Sequence, residues 1–490
     1  MPTTPTTTDA HSAPVHAQLL DHRKHPYRSL AVVFGVWKSL LLLIAVVARL
    51  AGPAYDTSGD LLEAAALVTS NGGNKSYFTT NNHAIPVGGI VSRLTSWDAI
   101  YFVQSAHRGY VYEQEWAFGA GLPLAVSAIR DGLNLIGLDA PVPVVAVAYV
   151  HVAHLLSVLV LYRLGQQLWL GSAGRTASFV AACLHVLSPA GLFLSAPYAE
   201  SSCALFTFVG YAAYVAGRKQ DTASAMSFSG DLLRLAAGIS FGVATVFRTN
   251  GLLNGVVFAY EAVTEALHFL RQPSTSLFRR LVFIGLGGLC VAAGSAIPQT
   301  VAYLQFCSEP SGVPGEDYRS WCKATVPSIY NFVQERYWGS GRLFNYWTLS
   351  NLPLFILATP MLLVMARSSL DIWSSVSSNP KSVWAEKRGS EGNASKAGRD
   401  GPQSPVFDPR LSPIIRCMAA TQLLLAVMAF TSYHVQIVSR LSSGYPVWYW
   451  WLAQNLAGGP KSGLAEGFVV FMVMYAAIQG ILFASFLPPA

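Results

Sequence analysis

The chain has 490 residues, of which 52% are hydrophobic and only 12% charged. A charged share near half of the ordinary quarter excludes a soluble globular domain and points to a chain that crosses a membrane many times. The net charge of +7 does not mark a nucleic-acid binder, because the basic residues fall mainly in short links between apolar stretches, which is the positive-inside distribution.

Residues 1–29 form a cytosolic N-terminus, and its Thr-, Pro- and Ala-rich first twenty residues read as disordered. They lack the early basic region and apolar core of a signal peptide. Arg23, Lys24 and Arg28 then precede a first span at 30–50, long enough to cross a bilayer as a helix. The rest of the chain, 30–490, reads as one multi-span membrane domain. Residues 51–121 make the first luminal region, with Asn74-Lys75-Ser76 as a glycosylation acceptor. The apolar stretch 122–138 carries Arg130-Asp131 and so lies along the surface or dips into the membrane.

Further spans are expected at 142–161, 177–194, 200–217, 232–248, 251–270, 281–304, 351–367, 411–432 and 465–487, about ten with the first. Arg163 with Arg175, Arg218-Lys219, Arg271 with Arg279-Arg280, and a flexible Ser-, Lys- and Gly-rich loop at 368–410 then share the cytosolic side. Asn393-Ala394-Ser395 matches the glycosylation pattern but falls in that loop and is expected to be unused. The luminal side receives 51–121, 195–200, 247–250, the 305–350 loop and 433–464. Six cysteines are too few for a disulfide scaffold. Cys183, Cys203 and Cys290 lie in apolar runs, whereas Cys307 and Cys322 share one polar loop and pair if that loop is luminal.

The wettest stretch is Ser92-Arg93-Leu94-Thr95-Ser96-Trp97-Asp98, running on through Tyr110 to Phe118. Asp98 has two readings. In Thr95-Ser96-Trp97-Asp98 it fits a capping pattern and satisfies a free N–H at a helix start. Alternatively, it is a catalytic carboxylate, kept ionised by the helix dipole and able to take a proton from a sugar hydroxyl. Glu113 and Glu115 share a face on a strand and diverge on a helix; they read as a solvated loop edge, as binders of sugar hydroxyls or as support for Asp98. Glu200 opens an apolar run, as a dipole contact or a substrate contact at the membrane boundary.

For an anionic substrate group the candidates are Arg248 in Phe-Arg-Thr-Asn-Gly with Asn250, Arg336 and Arg342 around Tyr337-Trp338, and Arg440. A guanidinium grips two phosphate oxygens at once; the alternative for each is interface anchoring. Tyr445 and Trp448 to Trp451 read as an interfacial aromatic belt. His151 and His154 read as packing inside a span. Gly238-Ile239-Ser240-Phe241-Gly242 has the letters of a nucleophile elbow without its strand–turn–helix context and reads as small-residue helix packing. There is no Asp-x-Asp, Walker loop or zinc-type cysteine pair, so no metal or cofactor is expected.

Trp97-Asp98-Ala99-x-Tyr101-Phe102, Gly109-Tyr110 with Tyr112-Glu113, Glu115-Trp116-Ala117-Phe118, Leu194-Ser195-Ala196-Pro197-Tyr198-Ala199-Glu200-Ser201, Phe247 to Leu252 and Glu335-Arg336-Tyr337-Trp338 occur in order. Together they resemble the PIG-V family of glycosylphosphatidylinositol (GPI) mannosyltransferases, over about residue 30 to the C-terminus. The resemblance implies an all-α polytopic membrane protein of the GT-C glycosyltransferase fold, with luminal loops carrying short helices. It also implies inverting, metal-independent α-1,6 transfer of the second mannose from dolichyl phosphate mannose to a GPI precursor in the endoplasmic reticulum. Asp98 is then the base, with Trp97, Glu113, Glu115, Glu200, Arg248, Asn250 and Arg336 binding substrate. Phe118-Gly119-Ala120-Gly121 departs from an aromatic-Pro pattern in the family. The expected partners are the lipid-linked donor and acceptor and the membrane itself, with a small accessory membrane subunit left open. The alternatives are a lipid or solute transporter, disfavoured because no repeated halves occur, or a transferase of the same donor with another acceptor.

Overall fold

In a computed structural model of the chain, residues 21–56, 58, 87–223, 226–308, 319–377 and 405–488 are described. The acceptor sequons at Asn74 and Asn393 and most of the N-terminal tail lie outside them. The architecture is almost wholly helical. The first span is α1 (Pro26–Ala51). Two short helices follow, α2 (Val87–Leu94) and α3 (Ala99–Arg108), then α4 (Gly121–Leu135). Next come α5 (Val142–Leu168), α6 (Gly171–Val186), α7 (Glu200–Ala223), α8 (Phe228–Phe247), α9 (Val256–Arg271) and α10 (Thr275–Cys307). The last third holds α11 (Ile329–Arg336), α12 (Leu352–Ser377), α13 (Ser412–Thr431), α14 (Val438–Leu441), α15 (Val447–Leu456) and α16 (Ser462–Ala484). One two-residue antiparallel pair joins Trp169–Leu170 to Val406–Phe407.

Among the described residues seven helices are long and apolar enough to cross a membrane. They leave Val36, Leu43, Leu289, Ile356 and Val470 exposed, as expected of surface that faces lipid rather than water. Helix α8 crosses α10 closely because glycines meet: a Cβ on Gly238 would lie 2.4 Å from the Gly287 backbone, and one on Gly242 2.4 Å from the Cys290 carbonyl. This is the small-residue packing expected of that stretch. The amphipathic α4 buries Leu122 and Val126 and exposes Leu124 and Leu135. At one end of the bundle Arg234, Arg279 and Arg280 interlock with Asp221, Asp231 and Glu261, tying α7, α8, α9 and α10 together. Cys307 and Cys322 are bonded, with Cα atoms 5.8 Å apart.

Several boundaries differ from the expectation. The span at 177–194 stops at Val186, just before Ser188-Pro189, since the residue before a proline is driven out of the helical region. Helix α12 continues to Ser377 instead of ending at 367. Its Asp371 is stabilised by Arg367, Lys461 and the Trp451 indole, so 368–377, expected to open a loop, is helical. The Trp448–Trp451 run is no interfacial belt: Trp448, Tyr449 and Trp450 are fully buried, because α15 packs inside the bundle. Nor does 433–464 stay on one side. His434 lies at the Asp98 end, Trp450 reaches Trp169 and Phe407, and Lys461 pairs with Asp371. Helix α16 then returns, so that Ser485 accepts a hydrogen bond from the Tyr55 amide and Phe486 packs on Trp97.

Candidate active site

Asp98 follows a strained residue. Trp97 has φ +58°, the left-handed region that a bulky side chain rarely adopts, and its ring lies 5.1 Å from that of Phe486. This turn puts Asp98 at φ −59°, ψ −21°, already helical, and its side chain makes no capping hydrogen bond; a capping residue needs an extended backbone. The capping reading is therefore corrected. One carboxylate oxygen instead accepts from Arg440 Nη1 at 3.3 Å, with the Asp98 side chain about one-third exposed.

Arg93 builds the frame beneath. It donates to the Ala484 and Gly52 carbonyls at 3.1 and 2.8 Å, at the C-terminal ends of α16 and α1, where helix dipoles favour a cation.

Glu200 is the buried hub. It begins α7, is 1% exposed, and its Oε1 accepts from Arg248 Nη1 at 2.7 Å and from Arg440 Nε at 2.8 Å. Arg440 thus bridges two acids that lie 342 and 240 residues before it, and its guanidinium carbon lies 4.5 Å from the Phe193 ring centroid and 4.6 Å from that of Tyr198. Burial opposes the charge on Arg440, but the Glu200 and Asp98 carboxylates overcome it and raise its pKa. Tyr198 is pushed well above the usual phenol range by burial and by Asp98. Formally two carboxylates face two guanidiniums, and an arriving phosphate would compete with Asp98 for Arg440.

These groups open onto a cavity of about 400 Å³. Trp97, Asp98, Arg248, Asn250 and Arg440 line it. Asn250 donates from its amide to the Tyr445 hydroxyl at 3.2 Å. Phe118, Trp338 and Phe193 add aromatic wall, and Tyr330, Gln334, His434 and Gln436 add polar groups. None of those four stood out in the sequence; their signal was only membership of segments expected to be luminal. Burial lowers the His434 pKa from 6.5, against the pull of Asp98.

The remaining expected site residues sit elsewhere. Glu115 is buried and accepts from Arg108 and from the Val111 and Tyr112 amides at 2.8 and 3.0 Å. Glu113 accepts from Arg319 at 2.7 Å and from the Trp321 indole at 3.0 Å. Both brace the 3₁₀ turn Glu113–Phe118 that delivers Phe118 to the cavity. Arg336 is exposed and does not line it. The departure at Gly119 and Gly121 has a steric reason. A Cβ on Gly119 would lie 2.5 Å from the Phe247 carbonyl, and one on Gly121 2.6 Å from the Phe247 ring, so small residues let this turn press against the chain next to Arg248.

Fold and site together are those of a multi-span helical membrane protein with an ion-paired, aromatic-lined cavity at one end of the bundle. The sequence narrows the class: residues 31–490 match the mannosyltransferase (PIG-V) family, and the chain belongs to that family. It is 47% identical to GPI mannosyltransferase 2 of Chaetomium globosum, covering 98% of this chain and 99% of that protein. It is 29% identical to the mouse GPI alpha-1,6-mannosyltransferase 2, over 76% and 74% of the two chains. It is also similar to the apo oligosaccharyltransferase of Archaeoglobus fulgidus, at 13% identity and a TM-score of 0.39, covering 96% of this chain and 57% of that one. The chain thus spans a little over half the length of that solved structure.

Proposed function

We propose that the protein transfers an α-1,6-linked mannose, the second of the GPI core, from dolichyl phosphate mannose to the GPI precursor. The reaction takes place at the luminal face of the endoplasmic reticulum membrane. The observation that carries this reading is the Asp98–Arg440–Glu200–Arg248 relay opening onto an aromatic-lined cavity. The donor phosphate competes with Asp98 for Arg440 and takes the free donors of Arg248, a geometry a guanidinium serves well. Asp98, released, accepts the proton of the acceptor hydroxyl as that oxygen attacks the anomeric carbon. The C–O bond to phosphate breaks in the same displacement, so a β-linked donor gives an α-linked product with no covalent sugar–enzyme intermediate. The phosphate leaves with the bonding pair, and the arginines meet its added charge without a metal ion.

The test is transfer by the purified full chain. Labelled dolichyl phosphate mannose and a monomannosylated GPI acceptor should give one added mannose, sensitive to α-1,6-specific mannosidase. Transfer to another dolichol-linked acceptor in preference to this one would overturn the assignment.

A further inference from the structure

The first span carries a charge that the relay does not include. Lys38 sits near the middle of α1 and is 4% exposed. No carboxylate pairs with it among the described residues. Its Nζ donates to the Leu194 carbonyl and to Ser195 Oγ, each at 2.8 Å. An ionisable group kept at that depth inside a membrane is costly and calls for a use.

The segment it holds is unusual as well. Residues 188–199 are buried throughout, yet beyond the 3₁₀ turn Gly191–Leu194 they have no regular structure. Irregular backbone at membrane depth survives only where other groups satisfy it. Lys38 grips this segment between two aromatic residues, Phe193 and Tyr198, whose rings stand 5.1 Å apart and nearly perpendicular. Both rings lie against the Arg440 guanidinium. The segment then runs directly into Glu200.

We propose that Lys38 is a positioning residue for Arg440. Anchoring Leu194 and Ser195 fixes the two rings that hold the guanidinium, and so its alignment with Asp98 and Glu200. Lys38 touches no substrate. Its role in turnover rests on the proposed mannosyl transfer, whereas its hold on Arg440 does not.

Two readouts on purified full-length protein separate these. In Lys38→Met, phenylglyoxal should modify Arg440 several-fold faster than in wild type, by peptide mapping. Arg234, buried in the ionic cluster at the other end of the bundle, should react at the wild-type rate. Turnover should fall about ten- to a hundredfold, as a small misplacement of a reacting group does. The same change in an Arg440→Ala background should have almost no further effect, because the two act as one unit. Leu41→Ala, one turn away and fully buried, is the control: it lowers the melting temperature and leaves the Arg440 labelling rate unchanged. Unchanged Arg440 labelling in Lys38→Met, or an equal rise at Arg234, overturns the inference whatever the reaction. Should Lys38→Met not fold, Ser195→Ala decides by the same labelling. Faster Arg440 labelling in a protein whose wild type transfers no mannose would overturn the functional reading and leave this one standing.

Discussion

Replacing Glu200 by glutamine removes one charge from the centre of the relay at nearly constant volume. In the wild type, Oε1 accepts from two guanidiniums at 2.7 and 2.8 Å while the side chain is 1% exposed. A hydrogen bond to a charged group contributes about 1.5–3 kcal/mol and a neutral one about 0.5–1.5, so weakening both costs about 2–3 kcal/mol. Breaking a buried pair outright sets an upper range of about 3–5 kcal/mol. Glu200→Gln should therefore melt well below wild type in detergent. It also leaves Arg440 paired with Asp98 alone and Arg248 with no carboxylate partner among the described residues, so added dolichyl phosphate should raise its melting temperature by more than it raises that of wild type, by mass action on a tighter site. The assay is thermal unfolding with and without dolichyl phosphate. A variant as stable as wild type, with the same response to the lipid phosphate, would refute the claim that Glu200 is the counter-ion of both arginines.

Arg248→Lys should keep charge but lose paired geometry and part of the turnover; a fully active Arg248→Ala enzyme would rule out a phosphate contact, as read by steady-state kinetics. His434 has its pKa lowered from 6.5 by burial, with Asp98 opposing. On acidification through and below 6.5 the unfolded chain binds a proton that the folded site resists, so folding stability should fall with pH there. His434→Gln should flatten that slope in melting curves taken from pH 7 to 5. Single cysteines at the exposed positions Tyr112 and Arg163 should be, respectively, protected from and open to an impermeant thiol reagent in sealed microsomes; equal labelling would contradict the luminal placement of the Asp98 face.

The apolar helices were legible in the sequence because hydropathy reports burial in lipid or protein without distinguishing them. That same blindness misled at Trp448–Trp451, where an aromatic run fits an interface as well as a core, and only packing against Trp169 and Phe407 separates the two. Asp98 was legible from its motif, but its partner was not: Arg440 lies 342 residues away, and nothing local marks it above Arg336 or Arg342. Glu115 and Glu113 looked like substrate ligands because carboxylates near a membrane need a reason. Arg108, Arg319 and Trp321 supply a structural one that spacing alone could not reveal. Lys38 was hidden by its surroundings, since one cation hardly lowers the hydropathy of a long apolar span.

The central claim is that Asp98 accepts the acceptor's proton without a metal. Asp98→Asn keeps the size, and because the wild-type side chain makes no capping bond, no capping bond is lost by the change. Transfer of labelled mannose by wild type and Asp98→Asn should be measured side by side in detergent with excess chelator. The account predicts an unaffected wild type and a folded variant slower by about 10²-fold or more. A wild type silenced by chelator would contradict the metal-free displacement, and an Asp98→Asn enzyme of normal turnover would contradict the base.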